Sequence, residues 1–269
     1  EAIRQSLYSA SVRLRENPSV FIIGVGGGND VWAAKIAGAR RVKGIELNEQ
    51  ILRIHREILP DWSGPLINDA NIELVHGEGR SAIIRESESY DIVQMTGIDT
   101  WTGLASGAYV LAENYLYTIE SLRTMYDRLN ENGFLQVTRM AADMETLRMC
   151  ANIDAMLTAD NGGSMDHSVA LMKTREPLMT IIVKKGDFTG SEVHQLEAFC
   201  KEGGIVPVYL PGRRTGTIVE EFILSSDKQD FIEQFPRNIR PTTDNIPYFF
   251  NFTRWDNLFE SKKYIRDTS

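Results

Sequence analysis

Cysteine is nearly missing from this chain: two residues in 269, Cys150 and Cys200, far apart in sequence. Two such residues build no disulfide framework. Together with four scattered histidines (His55, His76, His167 and His194) they match no metal-ligand spacing, so no metal is expected. Sparse cysteine use points to a reducing compartment. Positive charge is also short, with 29 Lys and Arg against 37 Asp and Glu and a formal net charge of -8. That balance argues against nucleic acid or an anionic membrane as partner and makes a cationic substrate easier to host. No apolar run approaches the ~18 residues that span a bilayer. The opening EAIRQSLYSA lacks the apolar centre of a signal peptide. The expectation is a soluble, cytoplasmic chain, and its start at Glu1 without methionine reads as a piece cut from something longer.

Hydrophobic residues make up 42% of the sequence, enough for one α/β domain with a small appendage. Residues 1–16 have helical spacing through Ile3, Leu7 and Val12 and stop at Asn17-Pro18. Val20 to Ile23 predicts a buried parallel strand, followed by the loop Gly24-Val25-Gly26-Gly27-Gly28-Asn29-Asp30 and a helix over about 31–37. Strands over 41–47, 72–76, 90–95 and 134–139 alternate with helices over 48–59 (capped by Asn48), 79–86, 113–129 and 142–159. Residues 97–112, rich in glycine and small side chains, predict a long loop over the carboxyl ends of the strands, where such sheets bind ligands. The runs 167–173 and 178–184 predict an antiparallel hairpin at the sheet edge. A helix near 191–201, a short strand at 205–209, helical pieces at 217–224 and 228–235, and a tail rich in proline and aromatics complete the chain.

The glycine-rich loop lets the backbone turn sharply and a ligand approach the helix N-terminus, where unsatisfied N–H groups face outward. Glu46, twenty residues after Gly26 at the end of the second strand, suits two ribose hydroxyls. It also suits the first turn of the next helix. A nicotinamide dinucleotide site is disfavoured because Asn29 stands where its last glycine belongs. Within His76-Gly77-Glu78-Gly79-Arg80 an acid can accept from an adenine amino group, or stabilise a helix start. Two acids so placed fit an adenosine without a pyrophosphate, the chemistry of S-adenosylmethionine and its relatives.

The series VFIIGVGGGND, GIELN, HGEGR and YDIVQMTGID resembles the spermidine synthase family of aminopropyltransferases. The stretches ENYLYTIESLRTMYDRLNENGFLQVTR and PTTDNIPYFFNFTRW are more similar to spermidine-synthase-like domains of large bacterial proteins, often fused to membrane helices. The resemblance, over about 20–255, implies a Rossmann-like class I methyltransferase fold with a seven-stranded, mainly parallel sheet and an antiparallel edge hairpin. The division is then 1–18 as an N-terminal helix and linker, 19–185 as the donor-binding core, and 186–269 as an extension packed on it. It further implies that Gly24, Gly26 and Gly28 line S-adenosylmethionine or its decarboxylated form, that Glu46 holds the ribose, and that Glu78 with Gly79 contacts the adenine. Asp30 is the nearest equivalent of the family's aspartate facing the donor's amino group, and serves equally as a helix cap.

The family carries two aspartates after the fourth strand, one as base on the attacking amine and one holding the substrate. Here Thr96 and Asp99 occupy those places, and a threonine hydroxyl is a poor base. Where the family has a β-rich segment before the first strand, residues 1–16 of this chain are expected to form a helix. Glu113, Tyr115 and Tyr117 suit a cationic acceptor through charge and cation–π contact, or start a helix and pack. Asp244 of Thr243-Asp244-Asn245 lies against the same cleft, or forms a turn before an aromatic anchor. The functional expectation is aminopropyl transfer to a small amine, with methyl transfer and a non-catalytic adenosyl-binding regulatory domain as alternatives. A homodimer is left open.

Overall fold

The computed structural model describes residues 2–98, 113–159, 163–175 and 178–254. Its centre is a sheet whose strands are β1 (Ser19–Ile23), β2 (Arg41–Glu46), β3 (Ile72–His76), β4 (Tyr90–Thr96), β5 (Leu129–Met140), β6 (Val169–Lys173), β7 (Leu178–Lys184) and β8 (Val206–Tyr209). Their order is β3-β2-β1-β4-β5-β7-β6-β8. The first five are mutually parallel, and the last three join antiparallel. The expected α/β fold and hairpin are present, but the sheet has eight strands rather than seven. The extra edge is β8, which pairs with β6 through Leu171↔Tyr209 and Met172↔Pro207. Proline is tolerated there because an edge strand can spare an N–H.

The helices are α1 (Asn29–Ile36), α2 (Glu49–Arg53), α3 (Pro60–Ile67), α4 (Gly79–Arg85), α5 (Ile119–Asp127), α6 (Asp143–Thr158), α7 (Met165–Ser168), α8 (Gly190–Gly203), α9 (Ile218–Leu224) and α10 (Lys228–Gln234). They cover both sheet faces, and β1 shows why. Its Val20 and Ile22 pack with Val31 and Ala34 of α1, while Phe21 and Ile23 face the cluster of Leu122, Met125 and Leu147. Side chains alternate along a strand, so a strand buried on both faces reads as an unbroken apolar run.

Residues 2–16 do not form the α-helix expected over 1–16. The described part is three 3₁₀ turns, Ala2–Gln5, Leu7–Ser9 and Val12–Leu14. Ser6 and Ser9 both donate their hydroxyls to the Ile3 carbonyl at 2.7 Å, competing with helical bonding. Two amides paired across β4 and β5, Gln94 and Gln136, hold the segment from the sheet side. Gln94 donates to Tyr8 O at 3.0 Å and Gln136 to Leu7 O at 2.9 Å, while Gln136 Oε1 accepts from Ser11 N at 2.9 Å. Three further expectations shift. The helix from Asn48 passes through a π turn at Ile54–Ile58 into α3. The helix expected from Glu113 begins only at Ile119, where Thr118 caps it. Finally, the first residues of the run 167–173 belong to α7. Among the described residues no helix is long and apolar enough to cross a membrane.

Candidate functional site

In a doubly wound sheet the point where strand order reverses leaves a crevice beyond the carboxyl ends. Here that point lies between β1 and β4, and a cleft of about 330 Å³ opens above it. Gly24 and Gly26 line it from the loop after β1, Glu46 and Asn48 from the end of β2, Glu78 and Gly79 from the start of α4, and Thr96 and Gly97 from the end of β4. Ile45, Ile51, Ile98 and Leu116 give it apolar walls. Gly24, at φ 85°, takes a conformation that favours glycine. At Gly79 the constraint is space, because a Cβ there would lie 2.4 Å from Ile23 Cγ2.

Glu46 is 6% exposed, and each of its oxygens holds one backbone amide: Oε2 accepts from Gly26 N at 2.9 Å and Oε1 from Asn48 N at 2.8 Å. One accepted bond per oxygen leaves capacity for another donor on each. The glycine loop is thereby tied to the end of β2. His55, in the π turn, grips the loop from its other side, with Nε2 at 2.8 Å from Gly26 O and Nδ1 at 2.8 Å from Ser63 Oγ.

Glu78 is the N-cap of α4, accepting from Arg80 N at 2.8 Å and Ser81 N at 2.7 Å. Burial pushes its carboxyl up, but the bonds from Ser81 and Arg80 outweigh that and hold it below the usual carboxylate range. The helix-start role of Glu78 is therefore observed, and its position on the cleft wall keeps the ligand role open.

Asp30 and Gly28 do not line the cleft. Gly28, at φ 84°, is the N-cap of α1, so neither Asn29 nor Asp30 caps it. Asp30 is 4% exposed and turned toward β4, where its Oδ1 accepts from Gln94 Nε2 and from Thr96 Oγ1, the latter at 2.9 Å. Burial lifts its carboxyl to about 7 against the opposing pull of Thr96 and Gln94. Thr96 lines the cleft, and its hydroxyl is bonded to Asp30. Asp99 lies outside the described residues.

The other expected substrate residues are not among those lining this cleft. Asp244 binds Arg80 through both oxygens, at 2.8 and 2.5 Å, and accepts from Thr118 at 2.7 Å. Bonding to Arg80 holds its carboxyl below the usual range. The segment is a turn before an aromatic anchor, as its plainer reading has it. Thr243 bridges Ile246, and Phe249 and Phe250 pack on buried Tyr117. The cation over Tyr117 is the chain's own Arg139, 4.1 Å from the ring centroid. Glu113 and Tyr115 are exposed and bonded to each other at 2.9 Å.

Sequence reasoning missed His55, Gln94 and the apolar walls Ile51 and Leu116. Gln94 was detectable as a lone amide in the buried strand YDIVQMT, and Gln136 as its counterpart in FLQVT.

No family model and no curated protein sequence matches the chain. Its fold does match solved structures. A spermidine synthase from Thermotoga maritima is 14% identical, with 98% of this chain and 74% of that one covered at a TM-score of 0.54. A probable spermidine synthase from Corynebacterium glutamicum is 15% identical, with coverage of 84% and 78% and a TM-score of 0.57. Human methyltransferase-like protein 13, solved in complex with SAH, is 11% identical, with coverage of 82% and 96% and a TM-score of 0.51. At these identities the likeness establishes the fold, the one shared by spermidine synthases and class I methyltransferases.

Proposed function

We propose that this chain is a group transferase that binds S-adenosylmethionine or its decarboxylated form and transfers an aminopropyl group to a small amine. The observation that carries the reading is the pair Glu46 and Glu78 on the walls of one cleft with the glycine loop. Glu46 would take the ribose hydroxyls on the free acceptor capacity of its two oxygens. Glu78 and Gly79 would meet the adenine edge, and Gly24 and Gly26 would let the donor approach the backbone, with Gly28 opening α1 beneath them. Ile51 and Leu116 offer the base apolar contact. Residues 19–185 are on this reading the donor-binding core, and 186–269 a C-terminal extension.

Displacement at a carbon bonded to a sulfonium expels a neutral thioether, so the protein's task is to align nucleophile, carbon and sulfur and to keep water away. Such a site tolerates different nucleophiles, and fold alone does not select the acceptor. Methyl transfer is the second reading, favoured by Thr96 in the place of the aminopropyltransferase base. The SAH bound to human methyltransferase-like protein 13 supports it at the level of fold. Incubation with each donor and a panel of short diamines, followed by mass analysis of the nucleoside by-product, separates the two. Methylthioadenosine is the expected product, S-adenosylhomocysteine would establish methyl transfer, and donor binding without any turnover would leave a ligand-binding regulatory domain.

A further inference from the structure

A primary amine is an ammonium ion near neutral pH and has no lone pair with which to attack carbon. The transferase reading therefore needs a proton acceptor at the reacting end of the cleft, and Thr96 alone is too weak a base. Behind Thr96, however, stands a carboxylate from another element. Asp30, in the first turn of α1, accepts the Thr96 hydroxyl proton at 2.9 Å, and Gln94 of the same strand binds the same oxygen. Gln94 is itself anchored to the Tyr8 carbonyl at 3.0 Å, so the Asp30 carboxylate is held from α1, β4 and the N-terminal segment together. Asp30 is too buried to meet a substrate, whereas Thr96 lines the cleft.

We propose that Thr96 and Asp30 form a two-member proton relay, with the Thr96 hydroxyl touching the acceptor amine and Asp30 acting through it as the base; this deepens, and rests on, the transferase reading above. In the first step the ammonium N–H bond breaks and its proton passes to Thr96 Oγ1, while the Thr96 proton passes to Asp30. The freed lone pair then forms the new C–N bond as the C–S bond breaks, and that electron pair leaves on sulfur as a neutral thioether. The product is a secondary ammonium, and Asp30 returns its proton to water by the same path. A hydroxyl both accepts and donates, so threonine suffices as the middle member. Among the described residues, the groups bonded to Asp30 are neutral: Gln94 and Thr96 from β4, with the Tyr8 carbonyl beyond Gln94. Among the described residues no charged side chain contributes to its titration, which burial governs.

The test compares Thr96→Val, Thr96→Ser, Asp30→Asn and Asp99→Asn with wild type, using decarboxylated S-adenosylmethionine and a short diamine. Calorimetry follows donor affinity, circular dichroism folding, and by-product release kcat against pH. The relay predicts that Thr96→Val lowers kcat by roughly 10²–10⁴, the usual worth of a general base. Donor affinity stays unchanged, and Thr96→Ser restores kcat to within several-fold of wild type. Wild-type kcat should rise with pH through about 7 as Asp30 ionises. That limb should vanish in Thr96→Val and in Asp30→Asn. A Thr96→Val enzyme with wild-type kcat and pH profile overturns the relay while leaving the transferase reading intact. So does loss of activity confined to Asp99→Asn. A wild-type protein that releases no by-product from decarboxylated S-adenosylmethionine overturns both.

Discussion

A carboxyl group buried between α1 and β4 that holds its proton to about pH 7 couples the fold to pH. The unfolded chain ionises Asp30 near its ordinary value of 3.8, the folded chain only near 7. Between those limits only the unfolded state is charged, so the contribution of Asp30 to stability is complete below about 4 and lost as pH rises through about 7. At 1.36 kcal/mol per unit the span is at most about 4 kcal/mol. Asp30→Asn removes the titration. Its melting temperature relative to wild type should climb between pH 4 and 7 and level off above. Parallel curves in thermal denaturation would show that Asp30 does not titrate in this window. Gly79 sets a steric limit at the same site. Gly79→Ala forces a Cβ against Ile23 at the end of β1 and should cost about 1–3 kcal/mol in denaturant unfolding, the usual cost of overpacking. An unchanged midpoint would mean that α4 can move away freely.

At the scale of elements, the N-terminal segment depends on two amides in the sheet. Gln136→Leu strands Ser11 N and leaves the Leu7 carbonyl with Ala10 N alone, at 3.2 Å; a buried group left unsatisfied costs about 1–3 kcal/mol. The expected result is faster hydrogen exchange across residues 2–14 with little change in β1 to β3. Uniform exchange would show that the segment is held by its apolar contacts alone. This region also marks the boundary of what the sequence could tell. The strands β1 to β4, the glycine loop and the Asn48 cap were legible because buried parallel strands are short apolar runs closed by glycine or by capping residues. Residues 1–16 were not, since beside the local bonds of Ser6 and Ser9 the segment is held by Gln94 and Gln136, distant in sequence. The place of β8 was hidden for the same reason, because its pairing with β6 is a long-range choice. In the site, Glu46 and Glu78 could be read from spacing, but the inward turn of Asp30 required knowing that Gln94 and Thr96 share its side of β4.

Taken whole, the molecule carries a formal charge of -8, and much of its acid is spent internally. Asp244 pairs with Arg80, and Glu192 takes both Lys184 and Arg15 at 2.8 Å. Among the described residues, the acids at the cleft are Glu46 and Glu78, with a buried Asp30 behind Thr96. That arrangement favours a cationic, hydroxyl-bearing ligand such as an adenosyl sulfonium, and the central claim is that Glu46 holds its ribose. The most direct measurement is calorimetric titration of wild type and Glu46→Ala with S-adenosylmethionine and its decarboxylated form. Hydrogen bonds to a charged group contribute about 1.5–3 kcal/mol each, so losing two should weaken binding by at least a hundred-fold. The account predicts saturable binding of one of these donors to wild type and none detectable to Glu46→Ala. Equal affinity in the two proteins, or no binding of either donor to wild type, would contradict it.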